Sequence, residues 1–512
     1  MSGMLSAAAR PPTSRPLILD LIHWHSLQSP DAPALCFAGR WYCYRELEQR
    51  ANRLAQRLRE LGVRPGERVG ILAHNHLAHF DLMLAAPKLG YIYTAYNYRL
   101  PAAELAPLVA QVQPRWLFAD LPLWPLAETL GAPLRPLADY EDWLAGGDPT
   151  RPDAPALTPE DIHMLLYTGG STGLPKAAQL PYRQTLGNAR ATVSAWGLSA
   201  DDCALQCTPC FHAAIQVLSL PLLSCGGRVV LMPIFEPGEY LEQIAQQRAT
   251  LLFMVPTMYQ MLIDHPAFAT TDFSSVRWAI SGGAPCPEPV RAAFVARGLR
   301  FKQGYGLTEA GVNCFTIDLD EAERWPDCVG RPMPGLDAVV RSADGQTRPA
   351  GEIGELTLAG PQVFSGYWQQ AEETAQALRA GWLWTGDLAR VDSAGRFRIV
   401  GRRKEMYLSG GENVYPSEVE AAIFRCAGVA DCAVLSLPDP LWGESGLAAV
   451  VLKDGQLKDG ESLRRELRQQ LAAYKLPRWF QFLPALPKTG TGKIDKNEIR
   501  RRYLAGQGEA LP

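Results

Sequence analysis

The chain has 512 residues, of which 47% are hydrophobic and 20% charged, and its net charge is −3. That length exceeds what one hydrophobic core usually organises, so two or three cores are expected. The near-neutral balance gives no ground for nucleic acid or an anionic membrane as the main partner.

From Met1 to Pro16 the chain carries Arg10 and Arg15 but no apolar run able to form a signal-peptide core. Residues 1–16 therefore read as a disordered lead-in. No stretch reaches the ~20 apolar residues of a transmembrane segment. The longest candidate, Ala213 to Cys225, stops at Gly226-Gly227. The 11 cysteines lack a small-domain disulfide rhythm, which fits a reducing, cytoplasmic location.

Between Tyr44 and Leu61, apolar residues at Leu47, Ala51, Leu54, Leu58 and Leu61 alternate four and three apart, which predicts one helical face. Gly62 and Pro65 end that helix, and Arg68 to Leu72 reads as a strand. Further on comes Tyr167-Thr168-Gly169-Gly170-Ser171-Thr172-Gly173-Leu174-Pro175-Lys176, rich in glycine and hydroxyls and ending on a cation. Such a loop suits a polyphosphate. It is not a Walker A loop, because Leu174-Pro175 separates Gly173 from Lys176.

Cys207-Thr208-Pro209-Cys210-Phe211-His212 has the outline of a zinc or redox motif, and Cys203 adds a third thiol. No second C-x-x-C or H-x-x-x-H completes a ligand set, so buried thiols lining a pocket are expected instead. Short apolar runs at Gly227–Met232, Leu251–Val255 and Val276–Ile280 read as buried strands separated by helices.

The segment Val276 to Glu309 reads as strand, loop Ser281-Gly282-Gly283-Ala284-Pro285, helix Pro287–Arg297, strand Leu299–Lys302, loop Gly304-Tyr305-Gly306-Leu307-Thr308-Glu309. In a right-handed βαβ unit both loops leave the carboxyl ends of parallel strands, where open α/β sheets bind ligands. Taken alone, the segment fits a nucleotide cleft and two ordinary βα turns equally well.

A boundary falls near residue 403, at Gly401-Arg402-Arg403-Lys404-Glu405 between the strands Phe397–Val400 and Met406–Leu408. Beyond it, a helix Pro416–Cys426, strands Cys432–Ser436 and Leu447–Leu452, a helix Glu461–Tyr474 and a closing helix from Lys496 make a small α+β domain. The expected fold is α/β: a large multi-layer domain over 17–402, with mixed and parallel sheets flanked by helices, and a small α+β domain over 403–512.

The decapeptide resembles the phosphate-binding signature of the adenylate-forming superfamily, which comprises acyl- and aryl-CoA synthetases, luciferases and peptide-synthetase adenylation domains. The resemblance runs from about Ala32 to Lys496. Gly283-Ala284-Pro285 is similar to the adenine-side loop, and Gly304 to Glu309 to the segment whose tyrosine stacks on adenine. By that resemblance Thr308 and Glu309 serve the α-phosphate and Mg2+. Thr385-Gly386-Asp387 matches the ribose-binding acid, and Arg402, fifteen residues on, its basic partner. Gly410-Gly411-Glu412-Asn413 resembles the loop that enters the site for thioester formation. Lys488-Thr489-Gly490-Thr491-Gly492-Lys493 resembles the segment carrying the adenylation lysine.

The resemblance implies ATP, Mg2+ and coenzyme A as cofactors or co-substrates. The small domain would be mobile, rotating about a hinge at Lys404 between two half-reactions. Attack of a carboxylate on the α-phosphate brings two anions together, so charge stabilisation dominates. Lys493 would supply a compact cation there. Thr168, Gly169, Gly170, Ser171, Thr172, Gly173 and Lys176 would hold the β- and γ-phosphates, and Glu309 the metal. Coenzyme A would meet Gly410, Gly411, Trp442, Tyr474, Arg478 and, from the large domain, Arg99. For Trp442 and Tyr474 the alternative is ordinary small-domain packing.

The acyl pocket falls on Ala191, His212, Ala213, Gln216, Gly283, Gly304, Gly311 and Val312, with His212 as an aromatic gate on a strand end. Phe235 to Pro287 most resembles bacterial medium- and long-chain fatty acyl-CoA synthetases, whereas Lys176-Ala177-Ala178 looks more like an aryl-CoA ligase. A fatty acid is the expected substrate. The alternative function is a stand-alone adenylation enzyme loading a carrier protein. The expected partners are small molecules, namely a carboxylic acid, ATP and coenzyme A, and a homodimer is compatible with the sequence.

Overall fold

The computed structural model describes residues 18–169, 175–453, 455–456, 458–488 and 494–506, with side chains from residue 21 onward. The lead-in, the phosphate-loop residues Gly170, Ser171, Thr172 and Gly173, and the adenylation lysine Lys493 lie outside the described residues.

Two largely parallel sheets make the body of the large domain. The first runs, edge to edge, through Phe301–Gln303, Trp278–Ser281, Leu251–Met254, Cys203–Gln206, Arg228–Leu231, Pro33–Phe37 and Arg40–Cys43. Only its last pair is antiparallel. Its strands are apolar along almost every position because helices cover both faces. Trp278 and Ile280 enter one core together with Leu35 and Val229. Ala279 and Phe301 enter the opposite one with Tyr240, Tyr259 and Phe294.

The second sheet runs through Leu134–Pro136, Trp116–Ala119, Arg68–Leu72, Ile92–Ala95, Ile162–Thr168 and Lys176–Pro181. It ends in an antiparallel pair whose register sets Thr168 opposite Lys176. The helix Tyr44–Glu60 presents Leu47, Ala51, Leu54 and Leu58 to the core, as its spacing predicts. A third, antiparallel sheet contains Asp337–Arg341, Gly354–Ala359, Trp382–Val391 and Phe397–Arg402.

The small domain is built on a long hairpin, Val429–Asp439 against Gly443–Leu452, extended by Trp479–Phe482 and Tyr407–Ser409. Helices Pro416–Phe424 and Gly460–Leu467 cover one face through Val419, Ile423, Leu463 and Leu467. The closing helix Lys496–Leu504 covers the other through Ile499.

Several bounds differ from those expected. The helix predicted to reach Tyr474 ends at Leu467, and Ala473–Lys475 forms a separate short 3-10 turn. Arg464 donates to the carbonyls of Pro477 and Arg478, which folds the following chain back beside the helix. The strand predicted to stop at Val400 continues to Arg402, because it pairs with Trp382–Val391. Phe211-His212 does not lie on a strand end: the strand Cys203–Gln206 has finished, and His212 caps the 3-10 turn Ala213–Gln216. Among the described residues no helix is long and apolar enough to cross a membrane.

Candidate active site

The two glycine-rich loops leave adjacent parallel strands, in the register Ala279↔Phe301, Ile280↔Lys302, Ser281↔Gln303. Gln303 locks them together. Its amide nitrogen donates to the carbonyls of Ser281, Ala284 and Gly304, and its oxygen accepts from Cys286 N at 2.9 Å. Gly304 N also donates to Ser281 O at 2.7 Å. The loop holding Gly283, Ala284 and Pro285 is therefore fixed relative to the one holding Tyr305. Gly306 is obligatory, since a Cβ there would stand 1.9 Å from the carbonyl oxygen of Val312.

Three of the sequence-selected groups meet at Tyr305. Its hydroxyl donates to Asp387 Oδ2 at 2.6 Å, and Arg402 Nε lies 3.3 Å from Asp387 Oδ1. Asp387 and Arg402, fifteen apart in sequence, are cross-strand neighbours in the third sheet. Burial, reinforced by the Asp387 charge, raises the Tyr305 hydroxyl well above its ordinary range, so it stays a donor.

A second group gathers at Glu309, which is buried on the short turn Thr308–Ala310. Its carboxylate accepts from Tyr367 Oη at 3.0 Å, and Lys176 Nζ stands 5.2 Å from the centroid of the same Tyr367 ring. Tyr367 thus links the end of the phosphate hairpin to the carboxylate expected to hold the metal. Gln184 donates to the carbonyl of Thr308 at 2.8 Å and fixes the turn from the helix Tyr182–Trp196. One carboxylate beside a phosphate-binding hairpin fits Mg2+, which is commonly held by one or two carboxylates and the phosphates themselves.

The residues assigned to the acyl pocket are spread over that helix, the 3-10 turn Ala213–Gln216 and the loops that follow the strands Trp278–Ser281 and Phe301–Gln303. Ala191 lies on the helix, and Gly311 stands against Asn188. A Cβ on Gly304 would lie 2.9 Å from Ile280 Cδ1, so the glycine lets Ile280 pack closely against this loop. Asn313, next to Val312, donates to Thr192 Oγ1 and to Val217 O, each at 2.9 Å, which anchors this wall. Ala213 and Gln216 are buried on their 3-10 turn. His212 packs beside Phe211, with ring centroids 4.4 Å apart, and shares a narrow cleft with Gly169, Pro175, Asn97 and Tyr167.

The thiols of Cys207 and Cys210 sit in different cores, one on each side of the first sheet. Burial raises both thiols, which makes them poor nucleophiles and poor metal ligands.

In the small domain, Asp439 organises the groups assigned to coenzyme A. It accepts from the backbone nitrogens of Leu441 and Trp442, from Ser445 Oγ, and from Arg478 Nη1 at 2.5 Å. Burial opposes its charge, but these bonds outweigh it and hold the carboxyl below the usual range. Gly410 N donates to Trp442 O at 2.9 Å, bringing the Gly410-Gly411 turn beside the indole. Trp442 is 46% exposed, so core packing does not explain it, whereas Tyr474 packs against the small-domain core. Arg99, in the large domain, lies over the Tyr98 and Phe211 rings, 5.7 and 5.9 Å from their centroids.

Lys404 lies between two anchors. Arg403 N donates to Gly386 O, and its guanidinium pairs with Glu355 at 3.2 Å in the large domain. Glu405 pairs with Lys496 at 2.8 Å in the small one. Partial burial and neighbouring Arg402 lower the Lys404 amine. Sequence reasoning missed Gln303, Tyr367, Asn188 and Asp439, whose only signal is polarity beside a recognised motif.

Residues 22–368 match the AMP-binding enzyme family, and residues 418–493 match the AMP-binding enzyme C-terminal domain. A feruloyl-CoA synthase of Amycolatopsis is 41% identical over 478 residues, covering 93% of this chain and 96% of the relative. The long-chain-fatty-acid–CoA ligase FadD13 of Mycobacterium tuberculosis is 32% identical over 475 residues, covering 90% and 93%. The crystal structure of ATP-bound MatB from Rhodopseudomonas palustris superposes with a TM-score of 0.88 at 30% identity, covering 95% and 98%. With its nucleotide-side loops, paired acid and base and separate small domain, the chain belongs to the AMP-binding enzyme family of the adenylate-forming superfamily and is an AMP-forming acid–thiol ligase.

Proposed function

We propose that this ligase activates an aryl-substituted carboxylic acid as its acyl-adenylate and passes the acyl group to coenzyme A. In the first half-reaction a carboxylate oxygen bonds to the α-phosphorus, the bond to the bridging oxygen breaks, and pyrophosphate leaves. In the second, the thiol sulfur bonds to the acyl carbon, the mixed-anhydride C–O bond breaks, and AMP leaves.

The carrying observation for adenylation is the convergence of Tyr305–Asp387–Arg402 and Glu309–Tyr367–Lys176 on the two loops. Asp387 is suited to accept the ribose hydroxyls, with Arg402 compensating its charge. Mg2+, held by Glu309 and phosphate oxygens, would neutralise charge on the phosphates. Lys176, Thr168 and Gly169 orient the polyphosphate, and Lys493 supplies positive charge between carboxylate and α-phosphate.

For the second half-reaction, the exposed Trp442 and the Arg478 guanidinium offer a stacking face and an anion partner for coenzyme A. Residues 403–512 rotate about Lys404, the residue between the Arg403 and Glu405 anchors. Loading of a carrier protein is the competing reading for this step.

Two observations bear on the acid. The 41% identity to a feruloyl-CoA synthase over 478 residues exceeds the 38% over 365 residues and the 32% over 475 residues to two fatty acyl ligases. Beside Gly311, Asn188 Oδ1 is also buried with no hydrogen-bond partner. An all-alkyl chain would leave that group unpaired. The test is pyrophosphate release with ATP and coenzyme A across cinnamic, hydroxycinnamic, octanoic and palmitic acids. The aryl reading expects kcat/KM at least about ten-fold higher for the best aryl acid. A preference of that size for the alkyl acids overturns it.

A further inference from the structure

Lys302 stands on the strand Phe301–Gln303, two residues before Gly304 and on the same face of the sheet. Its register partner is Ile280, the side chain that Gly304 leaves room for. The lysine is only 4% exposed. Its Nζ lies 3.9 Å from the Trp278 ring centroid and 4.3 Å from that of Trp196. The two indoles meet edge to face, with centroids 5.5 Å apart. Among the described residues the amine has no hydrogen bond and no ion pair.

A buried lysine without a carboxylate partner is costly, and two indole faces compensate it only in part. One donor of the cluster is left unsatisfied: Trp196 Nε1 is buried with no partner. Trp196 ends the helix that carries Ala191, so the cluster stands about one and a half turns beyond Ala191 on that helix, beside the strand that leads into Gly304.

We propose that Lys302, caged by Trp196 and Trp278, forms the far end of the acyl pocket and selects acids whose ring bears an oxygen substituent, a phenol or methoxyphenol. This rests on the aryl-acid reading above. The electron-rich indole faces that favour a cation disfavour a terminal carboxylate, so a neutral oxygen that accepts hydrogen bonds is the matched ligand. Burial, opposed by Asp318 and aided by Arg277, pushes the Lys302 amine down to about 7. It therefore gives up or keeps its proton readily near neutral pH. Arg277 itself is committed to Asp202 at 2.6 Å.

The test compares 4-hydroxycinnamic, cinnamic and octanoic acids in the full-length enzyme and in Lys302→Met, reading pyrophosphate release with ATP and coenzyme A. The wild type is expected to favour the hydroxylated over the unsubstituted acid. In Lys302→Met that ratio of kcat/KM values falls about 10- to 100-fold, because a site built to bond a substrate oxygen discriminates through that bond. An unchanged ratio overturns the Lys302 assignment while leaving the aryl reading intact. A wild type that takes octanoate in preference to both aryl acids overturns both. If Lys302→Met does not fold, Trp196→Phe keeps a ring and removes the orphan N–H. A several-fold fall in the same ratio supports the proposal, and an unchanged ratio contradicts it.

Discussion

Two buried polar regions of the large domain are built on opposite plans. Within the cluster of Arg50, Asp81, Glu141 and Tyr140 the polar groups answer one another, although Glu48 Oε2, Asn52 Oδ1 and Arg53 Nε on the same helix are buried without partners. The guanidinium reaches Asp81 at 2.8 Å and Glu141 at 2.6 Å, and Tyr140 Oη donates to Asp81 at 3.0 Å. Along the helix Tyr182–Trp196, by contrast, Tyr182 Oη, Gln184 Oε1, Asn188 Oδ1 and Trp196 Nε1 are buried without partners, as is Ser281 Oγ across from it. A closed network fixes a scaffold. An orphaned group costs stability and is retained where a ligand supplies the missing partner; Asn188, beside Gly311, is so placed, whereas Tyr182 stacks on the buried His163. The Arg50 cluster therefore belongs to folding and Asn188 to binding.

Four substitutions or conditions would break or sharpen that contrast. The largest effect is expected at Glu309. Glu309→Gln keeps the Tyr367 hydrogen bond but loses the charge, and adenylation falls about 10²- to 10³-fold with the denaturation midpoint nearly unmoved. Pyrophosphate release and urea melts measure the two quantities separately. Asp81→Ala reverses the pattern. It leaves the buried guanidinium with Glu141 alone, removes the acceptor of Tyr140 Oη, and costs about 1–3 kcal/mol of folding stability, while kcat per folded molecule stays at the wild-type value. Loss of activity without loss of stability there would erase the distinction drawn above.

Lys404→Pro probes the junction between the domains. Thioester formation from supplied acyl-adenylate is expected to slow about ten-fold more than adenylation in stopped-flow assays, because only the former needs the rotated small domain. Equal slowing of both steps would argue against a hinge at that residue.

The last effect is on stability alone and concerns pH. His79 and His163 are fully buried, and burial pushes each imidazole down to about 4. Their folded pKa values lie below the unfolded one, so the unfolded chain binds more protons as pH falls. Their contribution is complete above about pH 6.5 and is lost towards pH 4, each histidine costing up to about 1.4 kcal/mol per pH unit. Urea midpoints at pH 7 and pH 5 measure this loss, and equal midpoints would contradict it.

Much of the nucleotide side was legible in the sequence because its groups cluster in short motifs whose spacing carries geometry. Asp387 and Arg402 are separated by one hairpin, and a hairpin sets such residues opposite each other. Gly283 and Gly304 mark two βα turns, and parallel pairing puts them at one edge. Tyr367 could not be found this way. It reaches Glu309 across 58 residues and through a different sheet, which no local pattern encodes. Lys302 was hidden for another reason. In a strand buried on both faces, alternation does not separate inside from outside, so a lysine in Leu299–Lys302 reads as an exposed strand end. Likewise, nothing local in Glu461–Tyr474 stops a helix, and Arg464 bonding to the returning chain at Pro477 is a tertiary event.

The most direct test of the account is the stoichiometry of pyrophosphate release. With ATP, Mg2+ and a competent aryl acid but no coenzyme A, the enzyme is expected to release about one equivalent and stop, holding its acyl-adenylate. Adding coenzyme A should restart continuous turnover and yield AMP and an acyl thioester in equal amounts. Continuous release without coenzyme A, or no restart when it is added, would contradict the assignment of both half-reactions to this chain.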